Sequence, residues 1–130
     1  MIKKFIVLFF TSVALIAISI NSAFAKEYFY AVYNNKNSKK SIEFSQGSGT
    51  RHDLAPGVHS GPIKLEDEGD IFVELVDRPD SGCHYTLDAI TDAFQKKPDF
   101  DTVYLKSKVY DGKVSCDASF DQPPHPDDPN

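Results

Sequence analysis

The sequence predicts an all-β protein: a small antiparallel β-sandwich of immunoglobulin-like architecture, with about seven strands and one disulfide. Three observations predict it. Apolar and polar residues alternate in short runs, turn-forming residues recur about every ten positions, and the chain carries a single pair of cysteines. The chain has no tryptophan, which antibody domains carry, so the likeness is one of architecture.

The first 25 residues have the pattern of a cleaved export signal. Lys3 and Lys4 precede an apolar run over residues 5–20, and a small-residue site ends at Ala25. An uncleaved anchor is the alternative, but the run is shorter than the roughly 20 residues that span a bilayer. We therefore expect a signal peptide over residues 1–25 and a secreted or periplasmic product with no membrane anchor after cleavage.

Composition limits the classes of partner. Loss of residues 1–25 removes two lysines and no acidic residue, so the net charge moves from −5 to −7. An acidic domain has no general attraction for nucleic acid, which favours clustered positive charge. The length suits one domain over residues 26–120, which we expect to be a monomer.

The first strands follow from residue alternation. Strands are predicted over residues 28–33, 41–45, 63–65 and 71–76. The segment 50–61 contains Pro56 and Gly57, which favour a type II turn, and is expected to be a connecting loop.

Residues 77–82 are predicted to form a turn, because Pro79 and Gly82 lie within them, and a strand follows over residues 83–88. The apolar spacing then becomes helical. Thr86 is a suitable cap, and a short helix near residues 88–97 is favoured over a further strand.

The strongest local signal is Asp111-Gly112, which favours a two-residue type I′ hairpin. Such a turn fixes the register of the two flanking strands. The expected pairs are Tyr110 with Lys113, Val109 with Val114, Ser107 with Cys116, Leu105 with Ala118, and Val103 with Phe120.

In an oxidising compartment, Cys83 and Cys116 are expected to form a disulfide between two packed elements. Loop closure of this length contributes roughly 3–4 kcal/mol on the chain-entropy model. Ser107, small and opposite Cys116, leaves room for the sulfur. Residues 121–130 are rich in proline and aspartate and are expected to be a disordered acidic tail.

Three groups of residues are candidates for a chemical site, and the alternative for each is an ordinary solvated surface. His52 and His59, in one loop, are candidate zinc or copper ligands, but the loop has no regular spacing that would enforce geometry. The acidic run 66–70 lacks the twelve-residue arrangement of a calcium loop. The serines lie in no recognised nucleophile motif, so the sequence predicts neither an enzyme nor a cofactor.

The remaining candidate is a recognition surface. In the hairpin register, one face carries Tyr104, Lys106, Lys108 and Tyr110. Exposed tyrosines supply rigid contact area with a polar tip, so the face suits a protein or a glycan, with an ordinary solvated sheet face as the alternative. Tyr28 and Tyr30 would extend it if the first strand were adjacent.

The sequence therefore predicts an exported, non-catalytic binding module, either a secreted bacterial factor or an enzyme inhibitor. A metal-binding protein that uses the loop histidines is the first alternative, and a small hydrolase is the second.

Overall fold

The computed structural model describes residues 26–123, which form two four-stranded β-sheets and one short helix. The strands are β1 (Phe29–Asn34), β2 (Ile42–Gln46), β3 (His52–Leu54), β4 (Ile63–Lys64), β5 (Ile71–Leu75), β6 (Arg78–Tyr85), β7 (Thr102–Tyr110) and β8 (Lys113–Ser119). The helix α1 spans Leu87–Lys96. Sheet A has the order β4-β1-β7-β8 and sheet B the order β3-β2-β5-β6. The predicted small β-sandwich is confirmed.

One strand pair departs from the antiparallel pattern. β1 runs parallel to β7, with Phe29 beside Thr102 and Tyr33 beside Lys106. Parallel neighbours require a long connection, and here most of the domain lies between the two strands. The first strand is thereby placed in the middle of sheet A.

The core lies between the sheets and is closed at one end by α1. Its largest fully buried apolar side chains are Phe44, Phe94, Ile42, Ile71, Leu75, Leu105, Val32, Val73 and Val109. Each such side chain contributes about 1.5–3 kcal/mol when it is removed from water. The Tyr30 ring meets the Phe44 ring edge-on, with centroids 6.3 Å apart, and so joins the two sheets.

The predicted helix is confirmed, one residue earlier than expected. The Thr86 side chain accepts a hydrogen bond from the Ala89 N–H at 3.2 Å, as an N-cap residue does. Ile90 and Phe94 are the buried residues of α1. The helical spacing of the apolar residues therefore corresponds to the buried side of an amphipathic helix.

The predicted hairpin register is also confirmed. Asp111 and Gly112 have φ of 54° and 73°, the left-handed values that a type I′ turn requires. The ladder pairs Ser107 with Cys116 and closes with Tyr110 beside Lys113. β8 ends at Ser119, so the expected Val103–Phe120 pair lies beyond the ladder. The Phe120 ring instead packs against Phe94 and Phe100.

The disulfide joins the two sheets at one side of the sandwich. Cys83 of β6 is bonded to Cys116 of β8, with their Cα atoms 6.4 Å apart, as the sequence predicted. The Ser107 side chain opposite is buried, and its hydroxyl donates to the Tyr33 carbonyl at 2.8 Å. A small residue therefore occupies this row and still has its polar atom paired.

Two local expectations were wrong. The expected loop 50–61 contains β3, because residues 52–54 pair with β2. The expected turn 77–82 is shorter, because β6 already begins at Arg78. The pairing of β5 with β6 shifts register between Glu74 and Leu75, and the extra residues of β6 are accommodated there as in a β-bulge. The predicted signal peptide and residues 124–130 of the predicted tail lie outside the described residues.

Candidate functional site

The four residues of the predicted binding face do share one side of β7. Burial alternates along this strand, and Val103, Leu105, Ser107 and Val109 point into the core. Tyr104, Lys106, Lys108 and Tyr110 therefore point away from it. Tyr110 lies beside the hairpin turn and is 66% exposed, more than any other large apolar or aromatic residue of the described chain. We call this side of sheet A, with the outward residues of β1 and β8, the outer face.

The first strand borders the outer face through buried residues, and these are not the ones expected. β1 is adjacent to β7, but the register places Ala31 beside Tyr104 and Tyr33 beside Lys106. Tyr30 belongs to the core instead, and the Tyr28 ring stacks on Phe94 with centroids 4.3 Å apart. Residues 28–33 are aromatic or apolar on both faces, and that pattern was the signal that both sides of the strand are covered.

Tyr33, His59 and Tyr104 form an aromatic group that we call the Tyr33 cluster. The His59 ring stacks on Tyr33 at 4.9 Å, and Tyr104 meets Tyr33 edge-on at 6.1 Å. Backbone hydrogen bonds hold the histidine segment against β1, among them the Ser60 N–H to the Val32 carbonyl at 2.9 Å. The cluster fixes the orientation of the more exposed Tyr104 ring.

The environment of Tyr104 favours the neutral form of its hydroxyl. Burial raises the pKa of Tyr104, and the neighbouring Tyr33 and Asp101 raise it further. The side chain therefore presents a neutral phenol that both donates and accepts hydrogen bonds. Such a group suits recognition of polar ligands.

Lysines lie beside the cluster. Lys106 forms an ion pair with Asp117 of β8 at 3.2 Å. Lys108 and Lys113 form no ion pair with any described residue, and both are exposed. The outer face therefore carries uncompensated positive charge on a chain whose net charge is −5.

The opposite side of the sandwich has the opposite charge. On the outward face of sheet B, Glu43 lies between Asp53 and Glu74 in register. Arg51 is the neighbouring cation, paired with Glu43 and, at 3.6 Å, with Glu74. Like charges on directly opposed residues are unfavourable, and the arginine offsets that repulsion. The two faces would therefore meet an acidic partner differently.

The two histidines proposed as metal ligands lie on different sheets. His52 is in β3 of sheet B, where its ring stacks on Phe44 at 5.1 Å. His59 bridges to Tyr33 of sheet A. Among residues 26–123 there is no group of three or more His, Cys, Asp or Glu that could hold a metal ion. His52 and His59 are close in sequence but lie apart in the fold, because the chain passes from sheet B to sheet A between them.

Sequence reasoning missed a histidine–aspartate pair. His84 Nε2 lies 2.7 Å from Asp70 Oδ2, and the other Asp70 oxygen accepts the Leu87 N–H at 2.9 Å. These two interactions, the backbone one first, hold the pKa of Asp70 below its usual value. No local sequence signal links residues 14 positions apart.

A cavity of about 470 Å³ lies beside α1 and the start of β1. Its lining combines the cations Lys26 and Lys64 with the acidic residues that follow β4. Lys26 Nζ donates to the carbonyls of Pro98 and Phe100 at 2.7 and 3.0 Å, so this cation is already engaged.

Comparison of the chain with models of known families, with curated proteins and with solved structures found no match. Within residues 26–123, no helix has the length and apolar character needed to cross a membrane.

Proposed function

We propose that the chain is an exported, non-catalytic binding module whose outer face, through Tyr104, Lys106, Lys108 and Tyr110, contacts a partner protein or glycan. The observation that carries the proposal is the combination of a supported Tyr104 ring, an exposed Tyr110 and unpaired lysines on one flat sheet face. Tyrosine is enriched where proteins bind, and lysines at the rim of a contact act through charge complementarity with the partner.

The support for Tyr104 matters energetically. A side chain that must be ordered on binding costs about 0.5–1.5 kcal/mol. Because Tyr104 already packs edge-on against Tyr33, which itself stacks on His59, that cost is reduced. The Tyr33 cluster thus supports Tyr104 from beneath the contact surface. Tyr33 itself is buried.

The charge pattern indicates an acidic partner surface. Lys108 and Lys113 attract acidic groups, and Glu43, Asp53 and Glu74 on the far side repel them. Such an arrangement orients the domain during encounter, and its effect weakens as salt screens the charges. We expect binding to fall with rising ionic strength.

The test is capture of a partner from secreted or periplasmic material by the mature chain. Combined substitution of Tyr104, Lys106 and Lys108 by alanine should abolish capture while the thermal unfolding curve still shows a cooperative transition. Lys97→Glu, in the loop after α1, is the control and should leave capture unchanged. Equal capture by the triple variant would place the contact elsewhere.

A further inference from the structure

β8 is a long, open sheet edge. It is regular over seven residues, whereas β4 at the other edge of sheet A has two and β3 of sheet B has three. The other edge of sheet B, β6, has eight residues, but a register shift interrupts its pairing. Within residues 26–123, the backbone–backbone hydrogen bonds of β8 go to β7. On its open side, Cys83 Sγ of β6 lies 3.9 Å from the Val114 carbonyl oxygen, but this sulfur is in the disulfide and has no proton to donate. Open edges of this kind pair readily with another chain.

The hairpin fixes which backbone groups are open. A two-residue turn is closed by a hydrogen-bonded pair, here Tyr110 with Lys113, and such pairs recur at every second residue. The N–H and C=O groups of Lys113, Ser115 and Asp117 therefore face β7. Those of Val114, Cys116 and Ala118 face the open edge.

The side chains of β8 are self-complementary about Ser115. Lys113 and Asp117 share the outer face, one on each side of Ser115, with the same spacing. When two copies of β8 run antiparallel around Ser115, Lys113 of each copy meets Asp117 of the other. The same register places the open backbone groups of Val114 opposite those of Cys116, so charge and hydrogen bonding select one alignment.

We propose that a second copy of this chain pairs with β8 in this register and gives a two-fold dimer with one continuous eight-stranded sheet. The contact covers the half-buried Val114 and Cys116 side chains. Asp117, which is 74% exposed, then lies between Lys106 of its own chain and Lys113 of the second copy. The monomer expected from composition took no account of this edge, and the inference does not depend on the proposed binding function.

The test uses the mature, oxidised chain in sedimentation equilibrium over about a thousandfold range of concentration, because dimers follow mass action. The wild type should pass from monomer to dimer. Lys113→Asp or Asp117→Lys alone places like charges opposite each other twice across the two-fold axis and should weaken the dimer by about tenfold or more. The double variant Lys113→Asp/Asp117→Lys should restore it to within about threefold of wild type.

Mixing the two single variants gives the sharpest result. Each repels itself, but the Lys113→Asp chain is complementary to the Asp117→Lys chain, so the mixture should form a heterodimer that neither forms alone. Lys64→Asp on β4 is the control, because it makes the same change of charge as Lys113→Asp at the opposite edge of sheet A and should leave the dimer unchanged. A wild type that stays monomeric, a dimer insensitive to the single swaps, or failure of the mixture to associate would each overturn the proposal. Circular dichroism of every variant confirms the fold.

Discussion

At the scale of single residues, the Asp70 carboxylate at the surface contacts two different elements. It accepts a hydrogen bond from the Leu87 N–H at the start of α1 and contacts His84 of β6. Both interactions favour the charged form and lower the pKa of Asp70. One side chain thus ties sheet B to the helix.

Asp70→Asn tests this role. Because the pKa of Asp70 is lower in the folded than in the unfolded chain, its contribution is present above the unfolded pKa and is lost as the pH falls through the folded value. The variant should therefore lose less stability than the wild type on acidification. Urea unfolding between about pH 6 and pH 2 measures the slope. Equal slopes for Asp70→Asn and the wild type would contradict the role.

Gly82 shows why a residue typical of turns lies inside a strand. A Cβ at this position would lie 2.7 Å from the Glu74 Cα and closer still to the Val73 carbonyl oxygen. The backbones of β5 and β6 approach too closely there for any side chain. The glycine is required by this contact rather than by a turn.

Gly82→Ala should therefore lower the free energy of unfolding by about 1–3 kcal/mol, the usual cost of overpacking. Asp80→Ala, two residues earlier and exposed, should change it by less than about 0.5 kcal/mol, as surface substitutions do. Chemical denaturation of both variants measures the difference. An alanine at position 82 with wild-type stability would mean that the strands are farther apart than described.

At the scale of elements, the β7–β8 hairpin is the part whose structure follows most directly from local sequence. Asp111 and Gly112 both have positive φ, and the alternation in the two strands agrees with the register that this turn imposes. Turn chemistry and hydrophobic pattern are both local, so sequence reasoning could combine them.

Gly112→Ala should lower the free energy of unfolding by about 1–2 kcal/mol, the cost of a left-handed conformation in a residue with a Cβ. Asp111→Asn should be nearly neutral, because asparagine tolerates the same conformation. Thermal unfolding distinguishes the two. A neutral alanine at position 112 would indicate another type of turn.

The rest of sheet A could not be read from local sequence in the same way. The parallel pairing of β1 with β7 joins residues more than 70 positions apart, and no turn specifies it. The apolar pattern on both faces of β1 fits a strand covered on two sides, but it does not specify the neighbouring strands. The alternation along β7 predicted that Tyr104, Lys106, Lys108 and Tyr110 share one side, whereas the Tyr33 cluster beside them was missed. At residues 77–82, Pro79 and Gly82 indicated a turn where the chain makes a bulge.

At the scale of the whole molecule, the Cys83–Cys116 disulfide is the covalent link between the sheets. Replacement of both cysteines by alanine should lower the free energy of unfolding by about 3–4 kcal/mol. Without the link between residues 33 positions apart, the unfolded chain has more conformational entropy. Urea unfolding of this variant should match that of the reduced wild type. Equal stability of the oxidised and reduced chains would show that packing alone joins the sheets.

The two sides of the sandwich differ in charge, with lysines and tyrosines on the outer face and paired carboxylates on sheet B. We propose that the outer face, and not the outward side of sheet B, contacts a partner. Site-specific photo-crosslinking tests it most directly, with the photoreactive residue placed at position 108 or 110 and, as the control, at position 53 on sheet B. We predict a crosslinked partner from positions 108 and 110 and none from position 53, and a partner captured from position 53 alone would contradict the account.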